Sequence, residues 1–179
     1  MKIPKYLRLC IVALLLAGVA APATAGELSM IINGKSYHVG ADYSWNEDNH
    51  GIGFEYDFTR RSRWIKSGVA NAFRDSLDSM SYMAGAGLRR RIFETERLAG
   101  FYFDAGLVAF LMVREDINQH QPFPGILPVI AAGNRHIGLN LTYIPKIVIH
   151  DMAHADRVDP NIRGVFFIQA KISLGMGRR

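Results

Sequence analysis

Strict alternation of apolar and polar residues limits this chain's possible folds more than any other feature. In residues 36–44, Tyr37, Val39, Ala41 and Tyr43 alternate with Ser36, His38, Gly40, Asp42 and Ser44. The same period recurs in residues 51–58, 136–143 and 166–174, where Phe54, Tyr56, Leu139, Leu141, Ile168 and Ile172 fall on one parity. A period of two rich in aromatic and β-branched residues specifies strands. Residues 64–73, 80–90, 98–113 and 125–132 read as four further strands, less cleanly alternating. Eight strands of about ten residues are an even number, each of the length a tilted membrane strand needs. The predicted fold is all-β, an eight-stranded antiparallel up-and-down transmembrane β-barrel.

Connection lengths support the same reading. Those at 60–63, 91–97 and 133–135 are short, and those at 44–50, 74–79, 112–124 and 145–163 are mostly longer. In an up-and-down meander each set lies at one end, the asymmetry of short periplasmic turns and longer outer loops. A soluble ligand-binding barrel also alternates. Here, however, polar sets lining a lumen would leave the apolar sets outside, the reverse of a soluble barrel. Residues 98–113 are apolar on both parities, which predicts a greasy stretch of interior.

Residues 1–25 read as a signal peptide ahead of one barrel domain, residues 26–179. Lys2, Lys5 and Arg8 precede an apolar run, and Ala23-Thr24-Ala25 has the form of a cleavage site. Its loss removes three of the 21 Lys and Arg against 16 Asp and Glu, so +5 becomes +2. The basicity is then largely an export feature and favours no nucleic-acid partner. The one cysteine, Cys10, would leave with the signal, and with it any disulfide, thiol nucleophile or thiolate metal site. Beyond residue 26 no apolar run approaches the roughly 18–20 residues of a spanning helix.

In this topology His38 faces the lumen near the first outer loop, and Asp75-Ser76 follows the third strand at the same end. A base, an orienting charge and a hydroxyl near one rim suit acyl transfer. A polar network that satisfies buried groups would use the same residue types. His150, Asp151, His154 and Asp156 include two histidines four apart, a metal-ligand spacing. They fall in the last outer loop with no third ligand fixed, so a solvated loop is preferred and no metal or cofactor is assigned. Arg89-Arg90-Arg91 reads as the solvated end of a strand, with an anionic head group as the alternative.

Ala72-Phe73-Arg74-Asp75-Ser76, followed by Met83-Ala84-Gly85-Ala86-Gly87, resembles the central segment of lipid A palmitoyltransferases. The similarity continues through Pro122, Pro124, Ile126-Leu127-Pro128 and Leu141-Thr142-Tyr143-Ile144-Pro145, and returns at residues 165–174. The resemblance implies a monomeric outer-membrane enzyme that moves a palmitoyl chain from the sn-1 position of a phospholipid donor to lipid A. It implies that His38, Asp75 and Ser76 occupy the catalytic positions, with His38 as base and Asp75 holding its orientation. Gly87 would form the floor of the acyl pocket, and Trp45-Asn46-Glu47 would support the site.

Proline cannot donate to a strand ladder. Pro128 and Pro145 would therefore open gaps in the barrel wall through which a lipid tail enters sideways, while Pro122 and Pro124 stiffen a loop. The chain departs from the family pattern in having Leu77 after Asp-Ser and Leu174 at the last-strand aromatic position. Only residues 26–34 stand where the family has an amphipathic helix. A non-catalytic lipid-binding or structural barrel and a lipid A acyl hydrolase are the alternatives.

Overall fold

The computed structural model describes residues 26–58, 62–115, 120–152 and 159–175. The expected signal peptide lies outside these residues. Eight strands follow one another round a closed barrel: β1 (Glu27–Val39), β2 (Asp48–Asp57), β3 (Trp64–Arg74), β4 (Met80–Glu94), β5 (Tyr102–Arg114), β6 (Phe123–Gly133), β7 (Ile137–Pro145) and β8 (Gly164–Ser173). Each pairs antiparallel with its neighbours, and β1 seals against β8. A short helix, α1 (Lys146–Met152), follows β7. No helix among the described residues is long and apolar enough to cross a membrane.

Side-chain direction follows the parity expected from the sequence. Ile52, Phe54, Leu107, Leu111, Ile126, Ile130, Ile137 and Leu139 are exposed on the outer wall. Glu55, Asn71, Arg89, Asp104, Asn140 and Lys171 are buried inside. Such a belt would be a large exposed apolar patch in water. Facing lipid it is matched, because closure satisfies the strand backbones and leaves no edge. A one-residue slip of any strand would exchange the two faces, so the pattern also fixes register.

The first strand differs from the expected 36–44 segment. It begins at Glu27 and ends at Val39. The 26–34 stretch is thus mostly strand, and residues 41–44 belong to the following loop. A bulge explains why the alternation was hard to follow. Pairing shifts register between Asn33 and Lys35 toward β2, and between Asn33 and Ser36 toward β8. Ser29, Ile31 and Asn33 are buried before the bulge, whereas Ser36 is buried after it. One extra residue therefore switches the inward parity from odd to even, re-aiming the end of the strand.

The lumen has two storeys. In the lower one, Glu55 Oε1 lies 2.7 Å from both Arg89 Nη2 and Lys171 Nζ. Asp57 bridges the same cations at 2.6 and 2.9 Å. Arg91 pairs with buried Asp104 at 2.9 Å on the next inward position of β4. This corrects the reading of residues 89–91 as a solvated run. Arg89 and Arg91 alternate inward onto carboxylates, and only Arg90 lies outside, over the Trp64 ring at 5.9 Å. Above the charges, Asn33 and Asn71 exchange amide hydrogen bonds of 2.6 and 2.9 Å, and Gln169 Nε2 donates to Asn33 at 2.7 Å. The upper wall along β4 to β6 is apolar, as the two-faced pattern of residues 98–113 predicts.

Candidate active site

The β1 bulge turns His38 inward until its side chain is only 5% exposed. The β3–β4 turn then delivers Ser76 to the same rim, with Ser76 Oγ 3.0 Å from His38 Nε2. Two residues far apart in sequence thus meet where the alternation and topology put them.

Asp75 is adjacent but engaged elsewhere. Its Oδ1 accepts the backbone N–H of Leu77 at 2.9 Å and of Ser79 at 3.2 Å. This is the local geometry by which aspartate builds a turn. Its Oδ2 accepts the Ser81 hydroxyl at 2.8 Å and Arg114 Nε at 2.9 Å. Asp75 therefore shapes and anchors the turn that carries Ser76. The carboxylate beside His38 Nδ1 is instead Glu47, whose Oε1 lies 3.3 Å away.

The 40–47 loop holds this arrangement from above. The Trp45 ring stacks on His38 at 5.7 Å and 18°. Asn46 N–H donates to Ser76 O at 3.1 Å, and Asn46 Nδ2 to Asp75 O at 3.0 Å. At the loop's other end, buried Asp159 accepts the amides of Asp42 and Tyr43 at 2.6 and 2.7 Å. Burial pushes the Asp159 carboxyl up, but amide donors led by Tyr43, Asn161 and Asp42 outweigh it and hold it below its usual value.

A depressed carboxyl stabilises the fold above its unfolded value of about 3.9, and that contribution is lost as pH falls through the lower folded value. Below about pH 4, the thermal midpoint of the wild type is expected to fall more steeply than that of Asp159→Asn. Parallel acid limbs in the two proteins would contradict this.

Beneath Ser76 an internal cavity, open at its mouth, runs down the lumen. Phe73, Val108, Phe110, Leu127 and Val129 supply apolar wall, and Arg89 and Glu55 close the lower end. From Phe73 down to Ser67 on β3 the strand rises about 20 Å. Gly87 is buried at the Ser67 level. A Cβ there would collide with the Ser67 hydroxyl and stand 3.5 Å from Val108 Cγ2. This is a close approach that only glycine permits without a shift.

The two prolines flank a seam. β6 and β7 pair from Val129↔Thr142 down to Gly133↔Gly138. Above that level Pro128 pairs with Leu107 of β5, and Pro145 with Gly164 of β8. Between 123–128 and 143–145 the described residues form no ladder across the wall. The side chains of the His150, Asp151, His154 and Asp156 cluster lie outside the described residues.

The sequence puts His38 and Asp75-Ser76 at one rim, treats Glu47 only as support and does not single out Arg114. The available signal for Arg114 was its inward parity with Met112 at the outer end of β5, a cation that requires an internal anion.

The family model described as "Antimicrobial peptide resistance and lipid A acylation protein PagP" matches residues 23–151. Proteins called lipid A acyltransferase PagP from Bordetella pertussis and Bordetella bronchiseptica are each 34% identical over 128 residues, covering 67% of this chain and 68% of theirs. One of the same name from Methylobacillus flagellatus is 30% identical over 107 residues, covering 57% and 54%. With the family match spanning most of the chain, including every strand from β1 to β7, the protein belongs to the PagP family.

Proposed function

We propose that this protein is an outer-membrane acyltransferase that moves a palmitoyl chain from the sn-1 position of a glycerophospholipid to lipid A. The observation that carries this reading is the 3.0 Å contact between His38 Nε2 and Ser76 Oγ at the mouth of a deep cavity. The acyltransferase names of its relatives support the reaction class. The outward apolar belt supports a membrane setting.

In this account the acyl chain lies against the apolar wall with its ester carbonyl at the rim. His38 Nε2 takes a proton from the attacking hydroxyl and returns it to the departing glycerol oxygen; where Ser76 is the attacking group, a lipid A hydroxyl then attacks the acyl-Ser76 ester and its proton passes through Nε2 back to Ser76 Oγ. Asp75, clamped by Arg114, keeps Ser76 in reach. The unpaired stretch beside Pro128 and Pro145 gives the tail a sideways route from the membrane, so the polar head group need not cross hydrocarbon.

The test is mass spectrometry of lipid A from cells with and without the gene. A gain of one palmitoyl mass is expected. Loss of an acyl chain would make the protein a hydrolase, and an unchanged profile would make it a non-catalytic barrel.

Gly87 offers a separate check. Gly87→Met inserts a long side chain between Ser67 and Val108, shortening the space available to the chain. Offered a mixture of donors, the variant is expected to transfer chains several carbons shorter than the wild type does, read by product mass. An unaltered chain-length distribution would contradict a chain end resting at Gly87.

A further inference from the structure

A histidine that acts as a base through Nε2 must carry its remaining proton on Nδ1, and that tautomer persists when Nδ1–H has an acceptor. The acid next to Ser76 in sequence is not placed for that task. Both Asp75 oxygens are committed, to Leu77 N, Ser79 N, Ser81 Oγ and Arg114. Glu47 is placed for it. Its Oε1 lies 3.3 Å from His38 Nδ1, and the same oxygen accepts the His38 backbone N–H at 3.1 Å.

The surroundings of Glu47 are held rather than free. Its backbone carbonyl accepts Ser36 N–H at 2.9 Å, which pins it to β1. The preceding Asn46 is bound to the Ser76 turn through both its backbone and its side chain. Trp45 covers one face of the imidazole. The loop therefore fixes ring plane, ring rotation and the Nδ1 acceptor together. Glu47 is 42% exposed, so its charge is partly screened by water, but a hydrogen bond to a ring nitrogen acts through geometry as well as charge.

We infer that Glu47 is the positioning residue for His38: it holds the Nδ1–H tautomer and stabilises the imidazolium formed when Nε2 accepts the hydroxyl proton. Asp75 then serves Ser76 rather than His38. The proton balance is closed. The hydroxyl proton moves to Nε2 as the new C–O bond forms at the ester carbonyl, and moves to the glycerol oxygen as the old C–O bond breaks. Nδ1–H stays on the ring throughout, shared with Glu47. This inference rests on the reading of His38 as the base.

The experiment uses the full chain, purified in detergent, with a phospholipid donor and lipid A. Glu47→Ala is expected to lower kcat on the order of 10²-fold with little change in KM. Glu47→Asp should recover part of that loss, and Glu47→Gln, which keeps an acceptor oxygen but not the charge, should fall between. In ¹⁵N spectra of histidine-labelled protein, the His38 signals should report the Nδ1–H tautomer in the wild type and lose that preference in Glu47→Ala.

Should Glu47→Ala fail to fold, the near-isosteric Glu47→Gln carries the same comparison. Unchanged kcat and an unchanged His38 tautomer in the Glu47 variants, with His38→Ala inactive, would overturn the role of Glu47 alone. A fully active His38→Ala would overturn the underlying assignment of the base.

Discussion

His38→Ala and Ser76→Ala are each expected to reduce acyl transfer by roughly 10²–10⁴-fold, the range a positioned general base contributes. The barrel should survive both changes. His38 and Ser76 sit at the rim, joined by one 3.0 Å contact, and neither contributes to the lower charge cluster or the outer belt. A combined His38→Ala/Ser76→Ala variant should be little worse than either single one, because groups that act as a unit lose their effect together. Losses that multiply would mean the two residues act independently. Initial rates with a labelled donor measure this, with far-UV circular dichroism confirming the β content of each variant.

Lys171→Met is expected to be the most destabilising single change, by about 3–5 kcal/mol. Lys171 and Arg89 neutralise Glu55 and Asp57 in a closed set of four contacts between 2.6 and 2.9 Å. Removing one cation leaves two buried carboxylates sharing the other, the situation in which breaking a buried ion pair is costly. Removing a charge of each sign restores the balance. Lys171→Met combined with Asp57→Asn should therefore regain most of the stability, and the coupling between the two sites should be of the size expected for residues in one network. Urea unfolding midpoints of the detergent-solubilised barrel give both numbers. Additive losses would show that the four groups do not form one unit.

The strands were legible because a barrel with an apolar outer wall and a polar lumen exaggerates the period-two signal. Residues 51–58, 136–143 and 166–174 present apolar side chains to the outer wall at every second position, and the structure keeps that parity. Residues 98–113 alternate poorly because β5 sets Leu107 and Leu111 on the outer wall and turns Val108 and Phe110 to the cavity. The start of β1 lies outside the expected 36–44 strand because the bulge after Asn33 interrupts its phase, leaving opposite inward parities before and after it.

The site was legible where it depended on strand ends and topology. Topology puts His38 and the Asp75-Ser76 turn toward one end, and the family resemblance singled them out; the observed end of β1 at Val39, rather than at 44, is what brings His38 to the rim. The partner of His38 did not follow, because Glu47 reaches it through a loop whose path depends on the Trp45 stack and on distant Asp159. The run at residues 89–91 misled because three adjacent arginines look like solvated charge. Their pairing depends on Glu55, Asp57 and Asp104, contributed by other strands.

The most direct test supplies the purified protein in detergent with a glycerophospholipid labelled only in its sn-1 palmitoyl group, together with lipid A. Label should appear in lipid A, with a matching yield of the lysophospholipid, and should be absent when His38→Ala replaces the wild type. Label that stays in the donor, or emerges as free palmitate with lipid A unlabelled, would contradict the account.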